Sequence, residues 1–314
     1  MTVIAQDLGG KEVYALSKGA PEALKTLMDP KSIPDSYGSV SNYHMGLGQR
    51  VLALAYKKMA NPSSKLWLKE GRQSVERNLI FAGFLVLDCP LKPDSKKVIK
   101  ELRNSGHHTV MITGDAIQTA AEVARQVGII KAKGTVDTFE LRETSESQKT
   151  PQSDARFVFV PIASNDSDVT SEKCIAYSQS NLSVLKEMLH TSSIAAICVT
   201  GDTLTKIALD AVRRKNKLST DQSFIDPKTV LLHPDAQSTL QTLVPLISVF
   251  ARHAPRQKEA VVAAFNGAGR VTMMCGDGTN DVGALKMSHC GISIISVSSI
   301  KCDAFTISIS QRSY

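Results

Sequence analysis

The residues best suited to chemistry are Gly276-Asp277-Gly278-Thr279-Asn280-Asp281, directly after the apolar run Val271-Thr272-Met273-Met274-Cys275. The run reads as a buried strand. In a parallel sheet, ligands collect at the carboxyl ends of strands. Glycines there let the backbone turn tightly. Two carboxylates four residues apart, with an amide between them, can hold a hard cation and orient a phosphate. Mg²⁺ suits such a set, because it takes only one or two protein carboxylates and keeps its waters. The plainer alternative is a capped turn into a helix, with Asp281 favouring the helix dipole. Six specified positions in a strand-to-helix setting weigh against it.

Three further groups accompany this one. Thr113-Gly114-Asp115 closes the strand-like run His108-Thr113, where a threonine hydroxyl and the next backbone N–H can hold phosphate oxygens as a helix begins. The same tripeptide recurs at Thr200-Gly201-Asp202 after Ile197-Cys198-Val199, so one copy could be a structural turn. In Arg252-His253-Ala254-Pro255-Arg256-Gln257-Lys258, a lysine in the first turn of a helix can set an ammonium against a phosphoryl group. Read in isolation, that is also a solvated helix start. Lys18-Gly19-Ala20-Pro21-Glu22 combines a charge with a glycine that admits a planar ligand, and as bare residues it is equally a turn into a helix.

These groups need elements to position them. Val13–Leu16, Arg50–Tyr56 and Leu79–Leu87 read as strands, Pro21 opens a short helix, and Arg72–Asn78 reads as a solvated helix. From Asp88 onward, buried strands alternate with amphipathic helices. Helix Pro93–Ser105 carries Val98, Ile99 and Leu102 on one face, and helix Ala116–Val127 stops at Gly128. Phe157–Pro161 and Ala195–Thr200 are further strands, and another helix starts near Asn280. This alternation predicts a parallel, doubly wound sheet. Arg142–Asp154 is polar and aperiodic and reads as a mobile loop. The serine-rich tail after Ile295 finds no place in the sheet.

The bulk numbers admit two domains in 314 residues at 42% hydrophobic content. The net charge of +7 is scattered, and its densest stretch, Arg213, Arg214, Lys215 and Lys217, sits where a helix C-terminus favours cations. No basic stripe interleaved with aromatics suggests nucleic acid. The six cysteines form no C-x-x-C pair and fit no zinc spacing, so they read as small thiols, with Cys198 and Cys275 buried in strands. No stretch reaches the roughly 18 apolar residues needed to cross a bilayer. Met1–Gly10 carries Asp7 where a signal peptide needs an apolar core. Taken alone, the chain is expected to be soluble.

Together and in this order, the four groups resemble the cytoplasmic headpiece of the P-type ATPases, over about residues 11 to 295. Arg50–Tyr56, Phe81–Phe84, Phe250–Arg252, Cys275–Lys286, the second Thr-Gly-Asp and the long insertion look closest to type-V ATPases of subgroup A. The resemblance implies an incomplete haloacid-dehalogenase-like doubly wound parallel sheet and a partial α+β nucleotide-binding domain. Residues 1–87 would be the end of the nucleotide-binding domain. Residues 88–295 would be the phosphorylation domain, with an insertion at about 131–194, and 296–314 a divergent tail. By matching motifs, Lys18 and Gly19 would line the adenine pocket and Arg50 would face the phosphates of ATP. Thr113, Gly114, Asp115 and Lys258 would hold the transferred phosphoryl group, and Arg252 would lie near the nucleotide. Asp277 would bind Mg²⁺, supported by Asn280 and by Asp281 as a second metal residue. The implied function is ATP-driven transport of a cation or a transmembrane protein segment at the cytoplasmic face of the endoplasmic reticulum membrane. The alternative is a catalytically dead remnant that holds Mg-nucleotide.

The family's nucleophile lies in Asp-Lys-Thr-Gly-Thr, a string absent from these 314 residues; Asp7 is followed by Leu8-Gly9-Gly10. The sheet is accordingly expected to lack a central strand between those ending at Thr113 and Cys275. No covalent route for phosphoryl transfer is expected without the acceptor. Labelled ATP with Mg²⁺ should therefore leave no acid-stable, hydroxylamine-sensitive band on the chain; a band lost on mutating an aspartate would overturn this.

Overall fold

The computed structural model describes residues 1–7, 12–59, 71–130, 138–144, 156–162, 174–178, 181–191, 194–216, 229–294 and, for the backbone alone, 307–311. These fall into two compact units, one of Met1–Lys92 and one of the described residues from Pro93 onward.

The first unit is an antiparallel sheet in the order β1 (Thr2–Gln6), β2 (Val13–Gly19), β3 (Arg50–Lys58), β4 (Ile80–Leu87). Helices α1 (Pro21–Lys25), α2 (Tyr37–Gly46) and α3 (Arg72–Val75) accompany it. Period-two alternation drives the layering. Val51, Ala53 and Ala55 of β3 are buried, and Leu24, Met28, Tyr37 and Leu79 pack with Ala53 and Ala55. Tyr37 lies 5.0 Å from the Phe81 ring and 4.7 Å from Phe84, and its hydroxyl donates to the Pro21 carbonyl at 2.9 Å. The helix read over Arg72–Asn78 stops at Val75; Asn78 turns the chain at a φ of 53° so that Leu79 drops into the core. Edge strand β1 was not expected, since it carries no fully buried residue to mark it.

The second unit holds a six-stranded sheet. Its order is β5 (Met111–Ile112), β10 (Val249–Ala251), β9 (Ala196–Thr200), β6 (Thr138–Glu143), β7 (Phe157–Pro161), β8 (Ile175–Ala176). The first four are mutually parallel; β7 runs antiparallel to β6, and β8 antiparallel to β7. Its helices are α4 (Ser95–Asn104), α5 (Ile117–Gln126), α6 (Asn181–His190), α7 (Gly201–Asn216), α8 (Pro234–Leu243), α9 (Pro255–Gly267) and α10 (Val282–Met287). Ala196 and Cys198 of β9 pack with Ile117, Ala120 and Ala124 of α5. Ile197 and Val199 pack on the other face with Leu204 of α7, Leu240 of α8 and Val261 of α9. Helices thus cover both faces, as the alternation predicted, and the fold is α/β of the haloacid-dehalogenase-like kind. A second, smaller sheet runs β11 (Met273–Gly276), β12 (Cys290–Ile294), β13 (Ile307–Gln311).

Several expectations are corrected. β5 is two residues long and half-buried rather than a fully buried strand from His108, because only β10 pairs with it among the described residues. β11 is not in the six-stranded sheet; among the described residues it pairs with β12 alone. Val271 is 89% exposed, Met273 55%, and Cys275 is exposed, not the buried thiol expected. β5 and β11 each therefore end a sheet, and each has a hydrogen-bonding side that no described strand occupies. Helix α4 buries no residue, and its apolar Val98 is largely exposed. Arg142 and Glu143 end strand β6 instead of starting a loop, while 145–155 lie outside the described residues. Part of the tail, Ile307–Gln311, pairs antiparallel with β12; 296–306 and 312–314 lie outside the described residues. Arg214 pairs with Asp210 and Lys215 with Asp235, while Lys217 lies outside the described residues.

Candidate functional site

At the carboxyl end of the six-stranded sheet, the loops after β5 and β10 are laced together. The Arg252 N–H donates to the Asp115 carbonyl at 3.0 Å, the His253 N–H to the Thr113 carbonyl at 3.0 Å, and the Arg252 guanidinium to the Gly114 carbonyl at 3.3 Å. Arg252 adopts a φ of 52°, a conformation costing on the order of 1 kcal/mol for a residue with a side chain. The cross-loop bonds hold it there. The Thr113 hydroxyl receives the Asp115 N–H at 3.1 Å and donates to the Asp115 carboxylate at 3.2 Å. Gly114 is exposed, with open space where a side chain would stand.

The second Thr-Gly-Asp is built differently. The Thr200 hydroxyl caps its own helix, receiving the Thr203 N–H at 3.3 Å. Gly201 is buried, and an added Cβ would stand 2.8 Å from the Arg252 carbonyl oxygen. This copy is a packed turn, and the copy at 113–115 is the open one. Gly201→Ala should accordingly cost about 1–3 kcal/mol through overpacking, whereas Gly114→Ala should stay within about 0.5 kcal/mol. Urea denaturation of both variants checks this; equal losses would contradict it.

Lys258 lies in the first turn of α9, where Pro255 sets the start and the Gln257 side chain receives the Ala254 N–H at 2.8 Å. Gln257 also donates to the Thr205 hydroxyl of α7 at 3.0 Å, anchoring the turn. The buried Lys258 ammonium donates to the Asp281 carboxylate at 2.7 Å. The other Asp281 oxygen accepts the Gly278 N–H at 3.4 Å. Residues far apart in the chain are thereby joined, tying the α9 start to the loop after β11. Asp277 and Asn280 are exposed on that loop.

The oxygen donors of Asp277 and Asn280 suit Mg²⁺, which asks for few protein carboxylates. Asp281, expected as a metal residue, is already engaged by Lys258. Among the described residues no group of three or more His, Cys, Asp or Glu side chains could hold a metal. His253 escaped the sequence reading. It is buried, its Nδ1–H donates to the Ala251 carbonyl at 2.8 Å, and burial pushes its pKa down to about 4, so the ring is neutral near pH 7. Nothing in its spacing marks it.

In the first unit, Lys18 is exposed near the end of β2, Gly19 follows it half-buried, and Arg50 is exposed at the start of β3. The register pairs Lys18 with Leu54 and Arg50 with Leu87, so both cations share the sheet face away from α1 and α2. Leu16 and Leu85 are exposed on that face, a signal legible only as apolar residues at the wrong parity for the core.

A parallel sheet covered on both faces, with functional loops at its carboxyl ends, is the architecture of haloacid dehalogenase-like hydrolases, whose family profile matches residues 6–151. The chain is 33% identical over 286 residues to the probable manganese-transporting ATPase PDR2 of Arabidopsis thaliana, covering 91% of this chain and 20% of that protein. It is 34% identical to the endoplasmic reticulum transmembrane helix translocase spfA of Aspergillus fumigatus, over 91% of this chain and 18% of the other. To the human probable cation-transporting ATPase 13A4 it is 35% identical, over 94% of this chain and 22% of the other. The chain belongs to the type-V P-type ATPases. It spans about a fifth of the length of the relatives it matches. Among the described residues no helix is long and apolar enough to cross a membrane.

Proposed function

We propose that the chain is the ATP-binding and phosphoryl-handling portion of a subgroup-A pump. That pump would couple ATP hydrolysis to movement of a cation or a transmembrane protein segment at the cytoplasmic face of the endoplasmic reticulum membrane. P-type ATPases in general use ATP and Mg²⁺. The observation that carries the reading is the convergence at the second unit's loops: Arg252 laced to Thr113-Gly114-Asp115, and Lys258 held by Asp281. Fixed donors aimed at a phosphoryl group are the main catalytic device in phosphoryl transfer. In this reading residues 1–87 belong to the nucleotide-binding domain and 88–295 to the phosphorylation domain.

Asp277 and Asn280 would hold Mg²⁺, which supplies charge neutralisation at phosphate oxygens when bound. The Gly114 N–H would donate to the phosphoryl oxygens, and so would the Thr113 hydroxyl once its proton turns from the Asp115 carboxylate. Lys258 supplies a positive charge whose direction Asp281 sets. Arg252 stands beside them at the nucleotide. In the first unit, Leu16, Leu54 and Leu85 offer apolar surface to the adenine, Gly19 admits the ring, and Lys18 and Arg50 supply charge.

Calorimetric titration of Mg-ATP into the chain tests the assignment. Binding should be weak, because an open face buries little of a ligand. Lys18→Ala and Arg50→Ala should each weaken it about tenfold, the scale of a lost hydrogen bond to a charged group. Tight binding unchanged by Lys18→Ala would overturn the adenine-site assignment.

A further inference from the structure

The second unit has a groove of about 720 Å³ at the amino end of its sheet, opposite the loops described above. Its walls are α6, the segments leading into β5 and β10, and Arg270 just after α9. Two of its lining residues are cations, Lys186 and Arg270, and two more, His108 and His190, are imidazoles. None of the lining residues is a carboxylate. Leu189 and Leu246 supply apolar wall. The His108 ring stands edge-on to Phe265 at 6.2 Å, which fixes its orientation. Burial, then the charges of Arg270 and Arg103, hold its pKa below the usual histidine value, which keeps the ring neutral and leaves it a hydrogen-bonding wall.

We propose that this groove binds a phosphomonoester carried on an apolar body. A phosphomonoester brings close to two negative charges and three acceptor oxygens, which matches the ammonium of Lys186 and the guanidinium of Arg270, with the imidazoles as further hydrogen-bonding groups. The apolar wall then takes the body of the ligand, and the volume lies within the range of about 300–1,000 Å³ usual for small-molecule sites. The same headgroup chemistry occurs on a lipid and as free phosphate, and the apolar wall selects the former.

The test titrates three probes into the full chain: dihexanoyl phosphatidic acid, dihexanoyl phosphatidylcholine and inorganic phosphate. The first should bind at least about tenfold more tightly than either of the others, since both the charge and the apolar body contribute. Lys186→Glu and Arg270→Glu should each weaken it by about tenfold or more, and Lys186→Ala by less. Both positions are exposed, so thermal melts of the three variants should match the wild type. Lys97→Glu, on α4, should leave binding unchanged, as should Lys18→Ala, which separates this groove from the nucleotide reading. Inorganic phosphate or the phosphatidylcholine binding as tightly as the phosphatidic acid would overturn the proposal. So would an affinity untouched by Arg270→Glu, or the absence of binding by all three probes.

Discussion

Lys258→Met should destabilise the second unit by about 3–5 kcal/mol, the scale of removing one partner from a buried ion pair. The side chains of Lys258 and Asp281 are only 11% and 9% exposed and meet at 2.7 Å. Without the ammonium, the Asp281 carboxylate loses its ionic partner in a place with little water. It cannot easily swing away, because a Cβ on Gly276 would stand 2.7 Å from its own Cβ, so the backbone is already close around it. For a domain of this size, such a loss lowers the melting temperature on the order of 10 °C. Asp281→Leu combined with Lys258→Met should recover at least half of it, since replacing both charges by apolar groups removes the desolvation cost. Urea denaturation of the two variants measures this. A single variant that melts with the wild type would mean that the pair is solvated in solution. A double variant no better than the single one would mean that the loss comes from packing instead.

The chain at micromolar concentration should self-associate, and Val271→Lys together with Met273→Lys should shift it strongly toward monomer. Among the described strands, β11 pairs with β12 on one side and with none on the other, and β5 pairs with β10 alone. Open edges of this kind present unpaired N–H and C=O groups as templates for association, and lysine on an edge is a natural deterrent. Val271 at 89% and Met273 at 55% exposure add apolar surface beside the open edge. Neither substitution removes a buried contact, so stability should change by no more than about 0.5 kcal/mol. Sedimentation velocity of wild type and variant reads the outcome. A wild-type chain that runs as a monomer and melts cooperatively would show that the two edges are covered in solution. Association unchanged by the two lysines would place the sticky surface elsewhere.

The α/β character was legible because burial imposes period two on strands and a stripe on helices, and Ile197-Cys198-Val199 is apolar on both parities as a strand between two helix layers must be. The start of α1 was legible from Pro21, since a first-turn proline is a local matter of fixed φ, and that of α9 from the string Arg252–Lys258 following a strand. The chemistry-bearing groups were likewise visible, because each is a short local string at the end of a strand. Local strings do not encode which loops meet. The pairing of Lys258 with Asp281 spans 23 residues of chain and depends on how α9 and the loop after β11 pack. The two Thr-Gly-Asp copies are identical as sequence. Only the neighbours of Gly201, absent from Gly114, make one a packed turn and leave the other open. Met273 and Cys275 are as apolar as any core strand, yet they are exposed, because a strand is buried by its neighbours rather than by its own composition.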